Sequence, residues 1–166
     1  MNMYRILYNP EAGNGKGKQE TEKLVEKMSD AAVELYDMTK LSGYADFFAA
    51  CAPEDRILIA GGDGTLNRFL NDTADLTYPN SVWYYPVGSG NDFWRDVTDG
   101  TDTPLCIDRY IVNLPTVEVN GKTYRVLNGV GYGIDGYCCE VGDRLRKTSE
   151  KPVNYAAIAI KGLLFH

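Results

Sequence analysis

Residues 57–70 read ILIAGGDGTLNRFL, and no other stretch limits the fold so tightly. The apolar run Ile57-Leu58-Ile59-Ala60 stops at Gly61 and Gly62. Asp63, Gly64 and Thr65 follow, and then Leu66, Phe69 and Leu70 recur at helical spacing. A short apolar run predicts a buried strand, and the i, i+3, i+4 recurrence predicts a helix from about Thr65 to Thr73. Glycines between the two let the backbone approach a ligand closely. A helix start offers unpaired N–H groups and partial positive charge, which attract phosphate.

The chain before and after this turn repeats the same grammar. Strands are expected at Arg5–Tyr8, Val33–Met38, Arg56–Ala60 and Ser81–Tyr85, with helices at Lys18–Met28 and Tyr44–Ala52 between them. Strands alternating with helices make a parallel α/β sheet, and such sheets bind ligands beyond the carboxyl ends of their strands. Asn9, Thr39, Gly61–Asn67 and Gly88–Asp92 all follow strand ends. After Gly100 the pattern changes. Ile107–Val112 reads as a strand, and Asn120-Gly121 between Thr116–Val119 and Thr123–Asn128 is a strong hairpin signal. Tyr137–Thr148 and Val153–Phe165 read as helices. The expected organisation is an α/β domain over residues 1–100 and the incomplete start of a β-rich domain over residues 101–166. The last residues, Leu163-Leu164-Phe165-His166, carry no cap or polar tail and read as an end inside an element.

The candidate chemistry lies in the glycine turns. Beside a phosphate the Asp63 carboxylate is repelled, unless a divalent metal or its water lies between them or Asp63 accepts a proton from an attacking hydroxyl. Its structural alternative is an Asx turn. Gly88-Ser89-Gly90-Asn91-Asp92 either holds a phosphate, shapes an acceptor pocket, or is a helix start capped by Asn91 or Asp92. The loop Asn9–Lys18 has three glycines and two lysines. It is not a Walker loop, which needs glycine at Ala12 and a hydroxyl residue at Gln19, and it is not GxGxxG, because Lys18 stands at the third glycine. A weakly basic phosphate-side loop and a plain solvated turn both fit it. Gly131–Gly136 does fit GxGxxG but lacks the acidic residue about 20 positions on that a dinucleotide site requires. Close backbone packing or a turn is the expected use of those glycines.

Composition removes other classes. Seventeen Lys and Arg against 23 Asp and Glu give a net charge of −6, which argues against a nucleic-acid partner and against a polybasic membrane anchor. No apolar run reaches the ~18 residues of a membrane span, and the amino terminus carries no secretory pattern. Cys51, Cys106, Cys138 and Cys139 have neither zinc nor disulfide spacing, so reduced thiols and a cytoplasmic location are expected. The single histidine is His166, which leaves no Ser-His-Asp or Cys-His site.

Three motifs in order carry a resemblance: Tyr8-Asn9-Pro10 with its glycine loop, GGDGTLN at 61–67, and Pro86-Val87-Gly88-Ser89-Gly90-Asn91-Asp92-Phe93. Together they resemble the diacylglycerol kinase catalytic domain family, which includes bacterial soluble lipid kinases and sphingosine kinases. Ser89 stands where that family usually has threonine and keeps the hydroxyl. Asn128–Gly133 and the preceding hairpin resemble the start of the family's second domain. The resemblance implies a fold like that of phosphofructokinase and NAD kinase, with ATP in a cleft between two domains. It implies that Asn9, Thr39, Gly61, Gly62, Asp63, Gly64, Thr65, Leu66, Asn67, Gly88 and Ser89 contact nucleotide. Asp63 would be catalytic, near Mg2+ and the acceptor hydroxyl, and Asn91 and Asp92 would face the substrate. The reaction implied is γ-phosphoryl transfer to a lipid hydroxyl such as that of diacylglycerol, with transient membrane contact. Family members carry a longer second domain, so little lipid kinase activity is expected of residues 1–166 alone. An NAD kinase-like enzyme and a non-catalytic nucleotide-binding domain are the alternatives. The acceptor lipid and the oligomeric state are open in the sequence.

Overall fold

The structure is a computed structural model and describes residues 3–131, 133–148 and 153–165. β1 (Met3–Tyr8), β2 (Ala32–Asp37), β3 (Arg56–Gly61) and β4 (Ser81–Pro86) run parallel in the order β2-β1-β3-β4. A short β5 (Leu105–Cys106) pairs antiparallel with β4. Between the strands lie α1 (a single turn, Ala12–Gly15), α2 (Gly17–Lys27), α3 (Tyr44–Ala49), α4 (Asp63–Asp72) and, after β4, α5 (Asp92–Val97). The expected parallel α/β class is the observed one.

The central strands are apolar throughout because both sheet faces are covered, as parallel sheets require. Leu7, Ile57, Ile59, Val82 and Tyr84 face one side, where α3, α4 and α5 bring Phe47, Leu66, Phe69, Leu70, Phe93 and Trp94. Ile6, Leu58 and Ala60 face the other, against Leu24 of α2 and Val87. Leu66, Phe69 and Leu70 are buried as their helical spacing predicts, and each contributes roughly 1.5–3 kcal/mol by that burial. The stacked Phe48 and Tyr78 rings, with centroids 3.9 Å apart, close the outer side of this layer.

Several expected boundaries move, each for a visible reason. α4 begins at Asp63, ahead of Thr65, because the Gly62 carbonyl already accepts the N–H groups of Thr65 (2.9 Å) and Leu66 (3.1 Å). α3 stops at Ala49, short of Ala52, where the Asp55 carboxylate takes the Ala52 N–H (3.0 Å) and the Asn80 amide takes the Ala52 carbonyl (2.7 Å). Ile107–Val112 is not a strand. Residues 108–111 form α6 (Asp108–Ile111). The buried Ile107 donates its N–H to Val82 (2.9 Å), and the Asp108 carboxylate accepts the Val82 N–H (2.8 Å). A side chain thus satisfies the strand edge, and the backbone turns away.

Packing divides the chain into two compact units that meet between Asn128 and Gly129. Residues 101–128 pack with the sheet unit. Their hairpin, β6 (Thr116–Val119) and β7 (Lys122–Arg125), turns at Asn120-Gly121 as predicted. β7 ends earlier than the expected Asn128. The Asn71 side chain exchanges two hydrogen bonds with the Arg125 backbone (2.9 and 2.8 Å), and the Asn67 side chain accepts the Leu127 N–H (3.2 Å). The Arg125 guanidinium donates to the Ala74 carbonyl (3.0 Å) just beyond α4. In the second unit α7 (Ile134–Thr148) packs on α8 (Tyr155–Phe165). Gly142 lies against the Tyr155 ring and Gly162 against Ile134 and Tyr137, so the small residues are used for helix packing. Tyr132, inside the Gly131–Gly136 pattern, and His166 lie outside the described residues.

At the amino edge of the sheet, Arg5 ties three strands together. It donates to Asp55 (2.7 Å), Glu34 (2.8 Å) and the Tyr36 hydroxyl (2.5 Å). Burial pushes the Asp55 carboxyl up, but Arg5 and the Ala52 N–H more than offset it and hold it below the usual carboxylate range. A depressed folded-state value means the contribution is complete above the unfolded value of about 3.9 and is lost as pH falls through the folded one. Asp55→Asn is therefore expected to cost about 3 kcal/mol at pH 7, because it leaves Arg5 without its buried partner. Urea melts from pH 7 to pH 3 should show wild type losing that advantage at the acid end and the variant following a flatter profile.

Candidate functional site

Three loops meet at the carboxyl edge of the sheet, and the contacts between them come from the predicted residues. Gly62 and Gly88 touch backbone to backbone, so closely that a Cβ on Gly88 would stand 2.5 Å from the Gly62 Cα. The Asn9 amide donates to Thr65 Oγ1 (2.9 Å), tying the first loop to the start of α4. The Asp63 carboxylate accepts the N–H of Asp92 on Oδ2 (2.8 Å) and of Phe93 on Oδ1 (3.1 Å). These are the orphan donors at the start of α5, and a charged acceptor there is favoured by the helix dipole. Asp63 therefore caps the helix of the neighbouring loop. The expected alternatives for α5, capping by Asn91 or Asp92, are replaced by this contact, since Asn91 makes no side-chain cap bond.

The first loop is shaped by Gly17, which no phosphate motif explains. A Cβ on Gly17 would lie 1.9 Å from the Asn9 carbonyl oxygen, so only glycine lets α2 start this close to β1. The Asn9 carbonyl also accepts the Ala12 N–H (3.1 Å), and its side-chain oxygen accepts the Glu11 N–H (3.0 Å). Of the loop's other glycines, Gly13 lies against the Val87 carbonyl, 2.6 Å from where a Cβ would stand, and Gly15 faces open space. Beside the loop, a cavity of about 320 Å³ opens against the end of β4, walled by Asn14, Lys16, Glu20, Tyr85 and Ser89. Ser89 is exposed there. Asn14 and Lys16 were not among the expected site residues, because no single motif marks them.

The remaining expected residues separate into those near the turn and those used elsewhere. Thr39 lies past β2, exposed, and both its N–H and its hydroxyl bond to Asp37 (2.9 and 2.6 Å). It shares the edge but touches none of the three loops by hydrogen bond. Leu66 points into the core, and its N–H is engaged by Gly62. The side-chain oxygen of Asn67 is engaged by Leu127. Gly64 meets nothing within 4 Å of an added Cβ and is exposed. Asp92 is exposed. Asn91 holds the left-handed conformation at φ 58° and donates to the Gly88 carbonyl (2.7 Å). Its Oδ1 is buried and, among the described residues, has no hydrogen-bond donor. A buried acceptor left empty is costly and calls for water or a bound group.

Tyr84, buried beneath the turn, has its phenol pushed up by burial first and by the Asp63 charge second. Among the described residues no three His, Cys, Asp or Glu side chains cluster as metal ligands. Mg2+ commonly binds through one or two carboxylates plus substrate phosphates and keeps several waters. Each Asp63 oxygen accepts one N–H and retains a second acceptor position, so Asp63 suits a metal arriving with a nucleotide. All four cysteines are free, and among the described residues no helix is long and apolar enough to cross a membrane.

The diacylglycerol kinase catalytic domain family matches residues 3–117. The chain is similar to a diacylglycerol kinase of Bacillus subtilis (strain 168), 30% identical over 139 residues covering 81% of this chain and 41% of that protein. It is also similar to a diacylglycerol kinase of Staphylococcus aureus (strain bovine RF122 / ET3-1), 35% identical over 163 residues covering 80% of this chain and 51% of that protein. The chain thus spans about half the length of these curated relatives, or less.

The Gly62–Gly88 contact sets a stability contrast within one loop system. Gly88→Ala is expected to cost about 1–3 kcal/mol by forcing the two backbones apart. Gly64→Ala, in open space on α4, should leave stability unchanged or raise it by up to about 1 kcal/mol. Denaturant midpoints of the two variants, measured side by side, check the sign of each.

Proposed function

The chain belongs to the diacylglycerol kinase catalytic domain family, and from that premise we propose that its carboxyl edge is the nucleotide-binding side of an ATP-dependent lipid kinase. The observation that carries the reading is the junction of three strand-end loops through Asn9–Thr65, Gly62–Gly88 and Asp63–Asp92. It leaves glycine backbone and a helix start open at one edge, as a phosphate site needs. In this reading Asn9, Thr39, Gly61 to Asn67, Gly88 and Ser89 contact the nucleotide. Leu66, whose side chain is in the core and whose N–H is held by Gly62, contributes by packing beneath the turn. Asn91 and Asp92 lie toward the acceptor, and the empty Asn91 Oδ1 supports a bound group there. Residues 101–166 begin the family's second, lipid-facing domain, its first hairpin docked on α4.

In the proposed transfer the oxygen of a lipid hydroxyl, such as that of diacylglycerol, bonds to the γ-phosphorus. The bond to the bridging oxygen breaks, and ADP leaves. The proton of the hydroxyl passes to Asp63 and on to solvent. Asp63 is the carboxylate that would reach an Mg2+ ion arriving with ATP, which would supply neutralisation of phosphate charge. The protein's part is mostly positioning and charge balance. A cytoplasmic protein with transient membrane contact follows from this reading. One observation favours a non-catalytic nucleotide-binding role instead: both Asp63 oxygens already hold α5.

ATP with Mg2+ at 100 times its dissociation constant is expected to stabilise the chain by about 2.7 kcal/mol, seen as a raised melting temperature, while NAD gives no shift. A shift with NAD and none with ATP would overturn the proposal. Asp63→Asn is not a silent isostere here, because its NH2 would face one of the two N–H donors. Melting temperature should fall by the equivalent of about 1–2 kcal/mol for the lost cap. In a protein that includes the second domain, phosphoryl transfer to diacylglycerol should fall at least about a hundredfold with loss of the base.

A further inference from the structure

The buried hydroxyl of Tyr84 donates to the Gly61 carbonyl (3.0 Å), and that carbonyl also accepts the Val87 N–H (3.0 Å). Both partners lie on β4 or just past it, so the carbonyl is held toward β4 by two bonds. The described peptide bonds include no cis bond. In a planar trans peptide the N–H points opposite to the C=O, so the Gly62 N–H is turned away from β4, toward Asn9.

On that side the ladder has run out. The Ala60 carbonyl still accepts the Asn9 N–H (3.1 Å). The next acceptor along β1 would be the Asn9 carbonyl, but it has turned to Ala12 (3.1 Å). The Gly62 N–H therefore donates to no group among the described residues. An outward N–H at a glycine turn is a donor for an anion, and its direction is set by the opposite end of the same peptide.

We propose that Tyr84 is a positioning residue for nucleotide phosphate: its hydroxyl locks the Gly61–Gly62 peptide so that the Gly62 N–H stays aimed at a phosphate oxygen on the Asn9 side. The inference rests on the nucleotide reading above and extends it to a side chain that never touches the nucleotide. The role requires a protonated phenol, which burial and the nearby Asp63 charge both maintain. It also requires the ring to be fixed, and Phe93 and Trp94 pack edge-on against it at 5.9 and 6.0 Å.

Tyr84→Phe removes one oxygen and keeps the ring. Tyr4→Phe is the control, since it removes a hydroxyl that accepts a bond from the Arg56 guanidinium (2.7 Å) at the far end of the sheet. Calorimetric titration of the full chain with ATP and Mg2+ should show Tyr84→Phe binding about five- to tenfold more weakly, the size of one hydrogen bond. Tyr4→Phe should bind as wild type despite a similar drop in melting temperature. Equal affinity of Tyr84→Phe and wild type would overturn the inference. A second arm needs no nucleotide: amide exchange at Val87 should be about tenfold faster in Tyr84→Phe, as its shared acceptor loosens. If wild type binds no ATP, the nucleotide reading fails. Faster Val87 exchange would then still support the peptide lock, and unchanged exchange would overturn the lock as well.

Discussion

Gly88 approaches Gly62 so closely that it has no room for a Cβ, and the arrangement of the carboxyl edge depends on that contact. It brings the turn after β3 against the loop after β4. Only then does the Asp63 carboxylate reach the first N–H groups of α5. With Asn9 bonded to Thr65, three loops from three strands move as one piece. A site built this way has little freedom to rearrange, which suits chemistry that relies on positioning.

The sheet beneath supplies the rigidity. Strand residues alternate between two cores, and the site sits where β1, β3 and β4 end together. Polar groups inside this layer are individually satisfied. Thr73 donates to Phe69, Asn80 bonds to Ala52 and Asp55, and Thr21 donates to Gly17. At the opposite edge Arg5 and Asp55 fix the strand starts. The order of rigid core, pinned amino edge and open carboxyl edge is what lets short loops hold defined positions.

Much of this was legible from local pattern, and the misreadings have physical causes. The four parallel strands announce themselves as apolar runs of strand length, and Asn120-Gly121 announces the hairpin. Ile107–Val112 has strand composition, yet Asp108 is used to close the edge of β4. That use depends on a residue 26 positions away and leaves no local trace. Asp63 was read by its chemistry and by its own turn, whereas its observed partners, Asp92 and Phe93, belong to another loop. Gly17 was tested only against phosphate motifs, and its actual constraint is the Asn9 carbonyl.

Periodicity and turn chemistry act within a few residues, so the sequence by itself determined the four parallel strands, most of the helices, the parallel class and the candidate edge. The tertiary structure alone decided which glycines touch, which helix Asp63 caps, where residues 101–128 pack and which way the Gly61–Gly62 peptide faces. Those outcomes turn on distances of a few tenths of an ångström between segments far apart in the chain. Local propensity carries no information at that range, because the contacts exist only once the sheet has brought the strand ends together.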